Sequence, residues 1–283
     1  MTSYYSALFF TAFLPITVML YGMAPRRFRW AVLLLASYGF FFALSGALIA
    51  FVALSTAVVY ACARMMGANL AEKNRQLATA SSGKREIREA CKRKNRRIVF
   101  AAVVANIGIL AVLKYSGFFG LSLASALAAF GISIDLSIPS FALPIGISFY
   151  TLMAVSYVVD VYRERTKADK NLGHVALFLA FFPGIMEGPL SRYNDVAPSL
   201  IAGEPLNRKN LYAGTLRIMW GMAKKIIVAD RLNAFVKPVF DNYGSYDGGV
   251  IALAAILYTI QLYCDFSGTM DVALGMGRVF NVT

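Results

Sequence analysis

The chain has 283 residues, of which 58% are hydrophobic and 15% charged, with a mean hydropathy of +0.60. A soluble domain runs nearer about 45–50% apolar and about 25% charged, so that class is excluded. The net charge of +13 would suggest nucleic acid in a soluble protein, but enrichment of Lys and Arg in cytoplasmic loops accounts for it here, and no nucleic-acid partner is expected.

The charges are segregated and leave apolar runs of bilayer length, about 17–25 residues. The short alternating segments of a β-barrel are not found. The expected class is therefore all-α: a polytopic transmembrane helical bundle with re-entrant and interfacial helices. The first run, MTSYYSALFFTAFLPITVMLYG, lacks a basic leader and a small-residue cleavage site, so it reads as a retained helix and not as a secretory signal. Spans are expected at 4–22, 30–45, 47–65, 98–114, 143–162 and 248–264. With the N-terminus extracytoplasmic, Arg26, Arg27 and Arg29 fall inside. So does the loop 67–97, which holds ten basic residues against three acids. The outside loop 115–142 has no Lys or Arg, and the next inside loop begins Arg163-Glu164-Arg165. Each loop obeys the positive-inside rule. Residues 84–97, KREIREACKRKNRR, read as a basic helix leading into the fourth span, meeting either an acidic partner or anionic headgroups. The apolar stretch 121–130 is half a span and reads as re-entrant or interfacial.

Three places break the hydrophobic pattern. FFPGIMEGPLSRYND (181–195) follows a helix begun near Asn171 and carries Pro183, Gly184, Glu187 and Gly188-Pro189. It reads as a re-entrant dip, or a helix on the cytoplasmic face, because irregular backbone at membrane depth needs shelter. Residues 206–232 place Asn210, Arg217, Lys224 and Arg231 at a spacing of seven. This predicts a cytoplasmic-side interfacial helix with Lys224 and Lys225 snorkelling to headgroups or meeting an anionic substrate. IQLYCDFSGTMDVALGMGR (260–278) carries Asp265, Ser267 and Asp271. Intramembrane carboxylates are functional suspects, or they cap the free amides of a broken helix. Six residues separate the two aspartates, about 240° around a helix, so a paired acid–base site is not indicated. Ser148, Tyr150, Thr151, Ser156 and Tyr157 give 143–162 a weakly polar face, with Asp160 placed to meet Arg163 or Arg165. Cys62, Cys91 and Cys264 set up neither a disulfide framework nor a zinc site. No phosphate loop, dinucleotide fingerprint, GxSxG or metal-ligand cluster is found. The sole histidine, His174, has no carboxylate or nucleophile companion evident in sequence.

In order and spacing, LPIGISFYTLMAVSYVVDVYRER, FFPGIMEGPLSRYND, GMAKKIIVADRL and YCDFSGTMDVALGMGRVF resemble the membrane-bound O-acyltransferase family, in its alginate O-acetyltransferase-like branch. The motif region is 143–283. The N-terminal helices, 1–142, are similar in topology only, and 1–283 forms a single membrane domain. The resemblance implies an enzyme of a bacterial inner membrane that transfers acetyl groups from a cytosolic donor, acetyl-CoA or an acyl carrier, towards hydroxyls of an extracytoplasmic polysaccharide such as alginate. It also implies an extracytoplasmic partner protein or polymer, with no bound cofactor and no metal. The family's catalytic residue is a membrane-embedded histidine beyond the YCDFSGTMD motif. The chain is thus expected to be truncated before it, with the histidine beyond Thr283. Asp265, Ser267 and Asp271 are candidates for the tunnel wall or its support. Glu187, Arg192, Asp195, Lys224 and Lys225 are candidates for the cytoplasmic entrance. Alternatives are transfer of D-alanyl or another acyl group, an inactive remnant or scaffold, and, from the broken helices alone, a transporter.

Overall fold

The computed structural model describes residues 6–80, 82–129, 146–185 and 188–282. Among them all regular structure is helical, as the composition predicts. In chain order, a π-helical turn (Phe9–Phe13) leads into α1 (Leu14–Met23), followed by α2 (Arg29–Ser45) and, after a 3-10 turn at Gly46–Leu48, α3 (Ile49–Thr79). Then come α4 (Lys84–Ala129), α5 (Ile147–Tyr162), the short α6 (Leu172–Ala180) and α7 (Phe182–Ile185), and α8 (Tyr193–Ala202). Finally α9 (Arg208–Ala223) passes through a π-helical turn (Lys224–Ala229) into α10 (Asp230–Asp241), and α11 (Gly248–Val279) follows.

Three helical stretches are long and apolar enough to cross a membrane: Arg26–Thr79, Lys84–Phe118 and Gly248–Val279. The first holds two expected spans, separated at Gly46, whose φ of +54° suits a residue without a Cβ. Two expectations need correction. The first part of the 67–97 loop is not loop but a continuation of α3 to Thr79, while the basic helix expected over 84–97 is present as the start of α4 at Lys84. Pairs such as Arg85–Glu89 (2.8 Å) support a charged helix without burial. The apolar stretch after 120 is likewise not a separate re-entrant segment up to Ala129. It continues α4, since LSLASALAA contains no Gly or Pro to stop it.

Two compact units are distinguished: one of Leu34–Ala180 with Ser191–Asn194, the other of Met1–Leu33, Phe181–Leu190 and Asp195–Thr283. In the first, α3 packs against α4, α5 and α6. Several polar side chains inside apolar helices find partners there, because an unsatisfied group is costly away from water. Ser55 donates to Asn106 Oδ1, Asn106 bonds Ala102 O at 2.8 Å, and Tyr150 Oη bonds Val52 O at 2.9 Å and Thr56 at 2.6 Å. The weakly polar face of α5 is thus used in packing.

In the second unit, aromatic rings tie the N-terminal helix to α7 and to the end of α11. Phe182 lies 5.3 Å from Phe13 and 6.0 Å from Phe280, and Phe280 lies 5.3 Å from Tyr21, all edge-on. The FFPGI motif therefore supplies a core residue, since Phe182 is fully buried. The C-terminal end of α8 is held by α1 and the residues that follow it. Arg26 Nε donates to Ala202 O (3.1 Å), an Arg29 guanidinium N–H to Gly203 O (3.0 Å) and Tyr21 to Glu204 O (2.9 Å).

Candidate functional site

The site grows out of a close antiparallel crossing of α9 and α11. Gly214 faces Gly275 and Gly221 faces Gly268, two contacts seven residues apart on each helix, about 10 Å along the axis. A Cβ at Gly275 would sit 2.7 Å from Gly214 O, and one at Gly268 would sit 2.8 Å from Gly221 O. Only glycine permits backbones this close, the device by which small residues join helices in membranes. Gly268 therefore does not break α11. The broken-helix alternative for 260–278, in which the aspartates would cap free amides, is corrected: α11 is continuous from Gly248 to Val279.

With the helices this close, charged side chains flank the seam. Asp271 accepts from Arg217 Nε (2.9 Å) at one oxygen and from Lys224 Nζ (2.7 Å) at the other. Lys224 also reaches Ser267 Oγ (3.2 Å), and its ammonium lies 5.8 Å from the centre of the Trp220 ring. Lys225 pairs with Asp265 and lies 3.8 Å from Asp230. Consecutive residues on a helix are about 100° apart, and Asp265 and Asp271 are about 120° apart the short way round. The adjacent lysines thus straddle the glycine seam, one to each aspartate. As the spacing indicated, the two carboxylates do not pair with each other. The lysines stand at the start of the π-helical turn (Lys224–Ala229), an irregularity frequent at functional sites.

Five residues that the sequence assigned to two separate groups, Asp265, Ser267 and Asp271 against Lys224 and Lys225, meet across the α9–α11 seam in two clusters, Lys224 with Ser267 and Asp271 and Lys225 with Asp265. The expected snorkelling of the lysines is replaced by ion pairs within the protein. Asp271 is the more enclosed anchor, its side chain 15% exposed against 44% for Asp265. Three cations, Arg217, Lys224 and Lys225, face three aspartates, so the network is neutral and both Asp271 oxygens are engaged. It fixes two helices. Arg217 was absent from the expected site, although it stands seven residues from both Asn210 and Lys224. Asn210 also faces the far end of α11, donating to Asn281 Oδ1 at 2.7 Å.

The other candidates fare differently. Glu187 lies outside the described residues. Arg192 and Asp195 are exposed at the start of α8 and form no ion pair among the described residues. Asp160 is buried and meets Arg165 at 4.0 Å. His174 does have a carboxylate companion: its Nδ1 is 3.2 Å from Asp169 Oδ2, and Asn171 Nδ2 is 3.1 Å from Nε2. Asp169 also accepts from Tyr193 Oη (2.6 Å) and from the Asn171 backbone N–H (2.7 Å), while its own N–H donates to Tyr157 Oη (3.0 Å). Burial alone would raise the Asp169 carboxyl, but the Tyr193, Asn171 and His174 donors outweigh it and hold the group below the ordinary carboxylate value. Burial and the Asp169 carboxylate push the Tyr193 phenol up. This knot ties the α5–α6 connection down. The Asp169-x-Asn171 pair just ahead of a helix was its only sequence signal, an Asx-type turn. Among the described residues, no group of three or more His, Cys, Asp or Glu side chains could hold a metal ion.

No family model matches the chain. It is 33% identical over 273 residues to the probable alginate O-acetylase AlgI of Pseudomonas aeruginosa, covering 96% of this chain and 48% of that protein. It is 32% identical over 276 residues to the probable alginate O-acetylase AlgI of Azotobacter vinelandii, covering 96% of this chain and 50% of that protein. A peptidoglycan O-acetyltransferase of Helicobacter pylori is 28% identical over 206 residues, 64% of this chain and 38% of that protein. The chain spans about half the length of the alginate O-acetylases it matches. The resemblance expected from the four motifs is borne out by these relatives.

Proposed function

We propose, from the premise that this membrane chain is related across nearly its whole length to polysaccharide O-acetylases, that it is part of an O-acetyltransferase acting on a cell-envelope polysaccharide. The observation that carries the reading is the 33% identity sustained over 96% of the chain. An alginate-like polyuronate fits as acceptor because several of the matched relatives are named for alginate. The donor would be acetyl-CoA or an acyl carrier on the cytosolic side, with the acceptor polymer or a partner protein on the other. The inner membrane and an extracytoplasmic N-terminus suit the distribution of basic loops.

In this reading the α9–α11 network is support machinery. Asp271 clamps Arg217 and Lys224, so two helices and the π-helical turn between α9 and α10 hold one geometry beside the acyl path. Precise positioning is what an acyl transfer between two bound partners needs. A strain lacking its own polysaccharide O-acetylase, supplied with the whole acetyltransferase of which this chain is part, should regain alkali-labile acetyl groups on its polymer. Correctly inserted protein with no polymer-bound acetyl would overturn the proposal.

A further inference from the structure

One face of α4 changes character along its length. Arg93, Arg96 and Arg97 are followed by Phe100 and Val103, spaced as neighbours along one side of a helix. Together with Val99, and with Val159, Tyr162 and Arg163 from the end of α5, they line a groove of about 610 Å³. Four arginines, Arg93, Arg96, Arg97 and Arg163, stand around its basic end. The lower wall is apolar, and Phe100 is 69% exposed. Arg93, Arg96, Arg97 and Arg163 form no ion pair among the described residues, whereas Arg85 and Lys73 on the same helical pair are neutralised by Glu89 and Glu164. The basic end belongs to the charged extension of α4. The basic and apolar ends both lie within the stretch Lys84–Phe118, the first in its charged start and the second in its apolar continuation.

We propose that this groove is a specific site for an anionic phospholipid. The phosphate sits among Arg93, Arg96, Arg97 and Arg163, and an acyl chain lies along Val99, Phe100, Val103 and Val159. Guanidinium groups match phosphate oxygens with paired N–H donors. The apolar floor selects a lipid over a soluble phosphate, because six residues of helix from Arg97 to Val103 offer about 9 Å of chain contact below the headgroup. The groove makes a site within what is otherwise a diffuse basic surface, and the inference stands apart from the acyl-transfer reading. Tyr162 and Arg163 also line the neighbouring cavity with Lys73, Arg88 and Lys92, so a lipid here would touch the α5 C-terminal turn.

The test is lipid titration of the purified full chain in detergent, read by native mass spectrometry. Phosphatidylglycerol should bind about tenfold more tightly than phosphatidylcholine, given the attraction of clustered basic residues for anionic headgroups. The Arg93→Gln/Arg96→Gln/Arg97→Gln variant should lose that preference. A variant with the same charge removed elsewhere, Arg75→Gln/Lys84→Gln/Arg85→Gln, should keep it within about threefold. Soluble glycerol 3-phosphate should not displace the lipid. Arg163→Gln, on the opposite wall, should weaken phosphatidylglycerol binding too, and it answers the question should the triple variant not fold. Equal losses in the two triple variants would mean diffuse attraction and overturn the site. So would displacement by glycerol phosphate, equal binding of the two lipids, or an unaffected Arg163→Gln variant.

Discussion

At the scale of single residues, the two aspartates of α11 are not equivalent. Asp271 is enclosed and holds two cations, so Asp271→Asn leaves Arg217 and Lys224 facing no carboxylate. Breaking an enclosed pair from one side should cost about 2–3 kcal/mol. Asp265 is half-exposed, and Lys225 keeps Asp230 nearby, so Asp265→Asn should cost about 1 kcal/mol or less. Thermal unfolding in detergent checks the order; equal losses would refute the distinction. Asp169 supplies a pH signature. Its folded carboxyl lies below the ordinary 3.8, so its contribution to stability is full above the unfolded value and is lost as pH falls through the folded one. Wild-type stability should drop below about pH 4, and Asp169→Asn should remove part of that slope. An unchanged slope would show that the knot does not hold the carboxylate. Asp265, Ser267, Asp271, Lys224 and Lys225 were all legible as polar residues out of place in an apolar chain. Their pairing was not, because it depends on which helix faces which. Asp169 escaped notice because its partners come from separate segments, with Tyr193 24 residues further on.

At the scale of elements, the glycine seam decides how α9 and α11 meet. Gly221→Ala would drive a Cβ into Gly268 O, and overpacking of this kind should cost about 2 kcal/mol despite alanine's better helix propensity. Gly39→Ala in α2 meets nothing within 4 Å and should be neutral or stabilising by up to about 1 kcal/mol. Unfolding midpoints of the two variants should move in opposite directions or differ clearly; matched shifts would argue against a tight crossing. The helices themselves were readable from hydropathy and charge, as was the break at Gly46. The broken-helix alternative for 260–278 failed because glycine serves both to end helices and to let them touch, and here it does the second. The signal that separates the two uses was present: Gly214–Gly221 and Gly268–Gly275 share a spacing of seven.

At the scale of the whole molecule, class, topology of charge and family relationship agree: an all-α membrane chain related to polysaccharide O-acetylases. The stretch FFPGIMEGPLSRYND shows how far sequence reaches on its own. Its breakers announce irregular backbone, yet only packing reveals that Phe182 anchors an aromatic cluster and Tyr193 a carboxylate. The account as a whole rests on acetyl transfer supported by the α9–α11 network. The most direct measurement is labelled-acetyl incorporation into polymer by membranes carrying the whole acetyltransferase of which this chain is part, compared with its Asp271→Asn variant at equal inserted amounts. The account predicts incorporation by the wild type and a loss of about tenfold or more in the variant, as positioning losses of this size produce. Polymer without label, or equal rates in the two proteins, would contradict it.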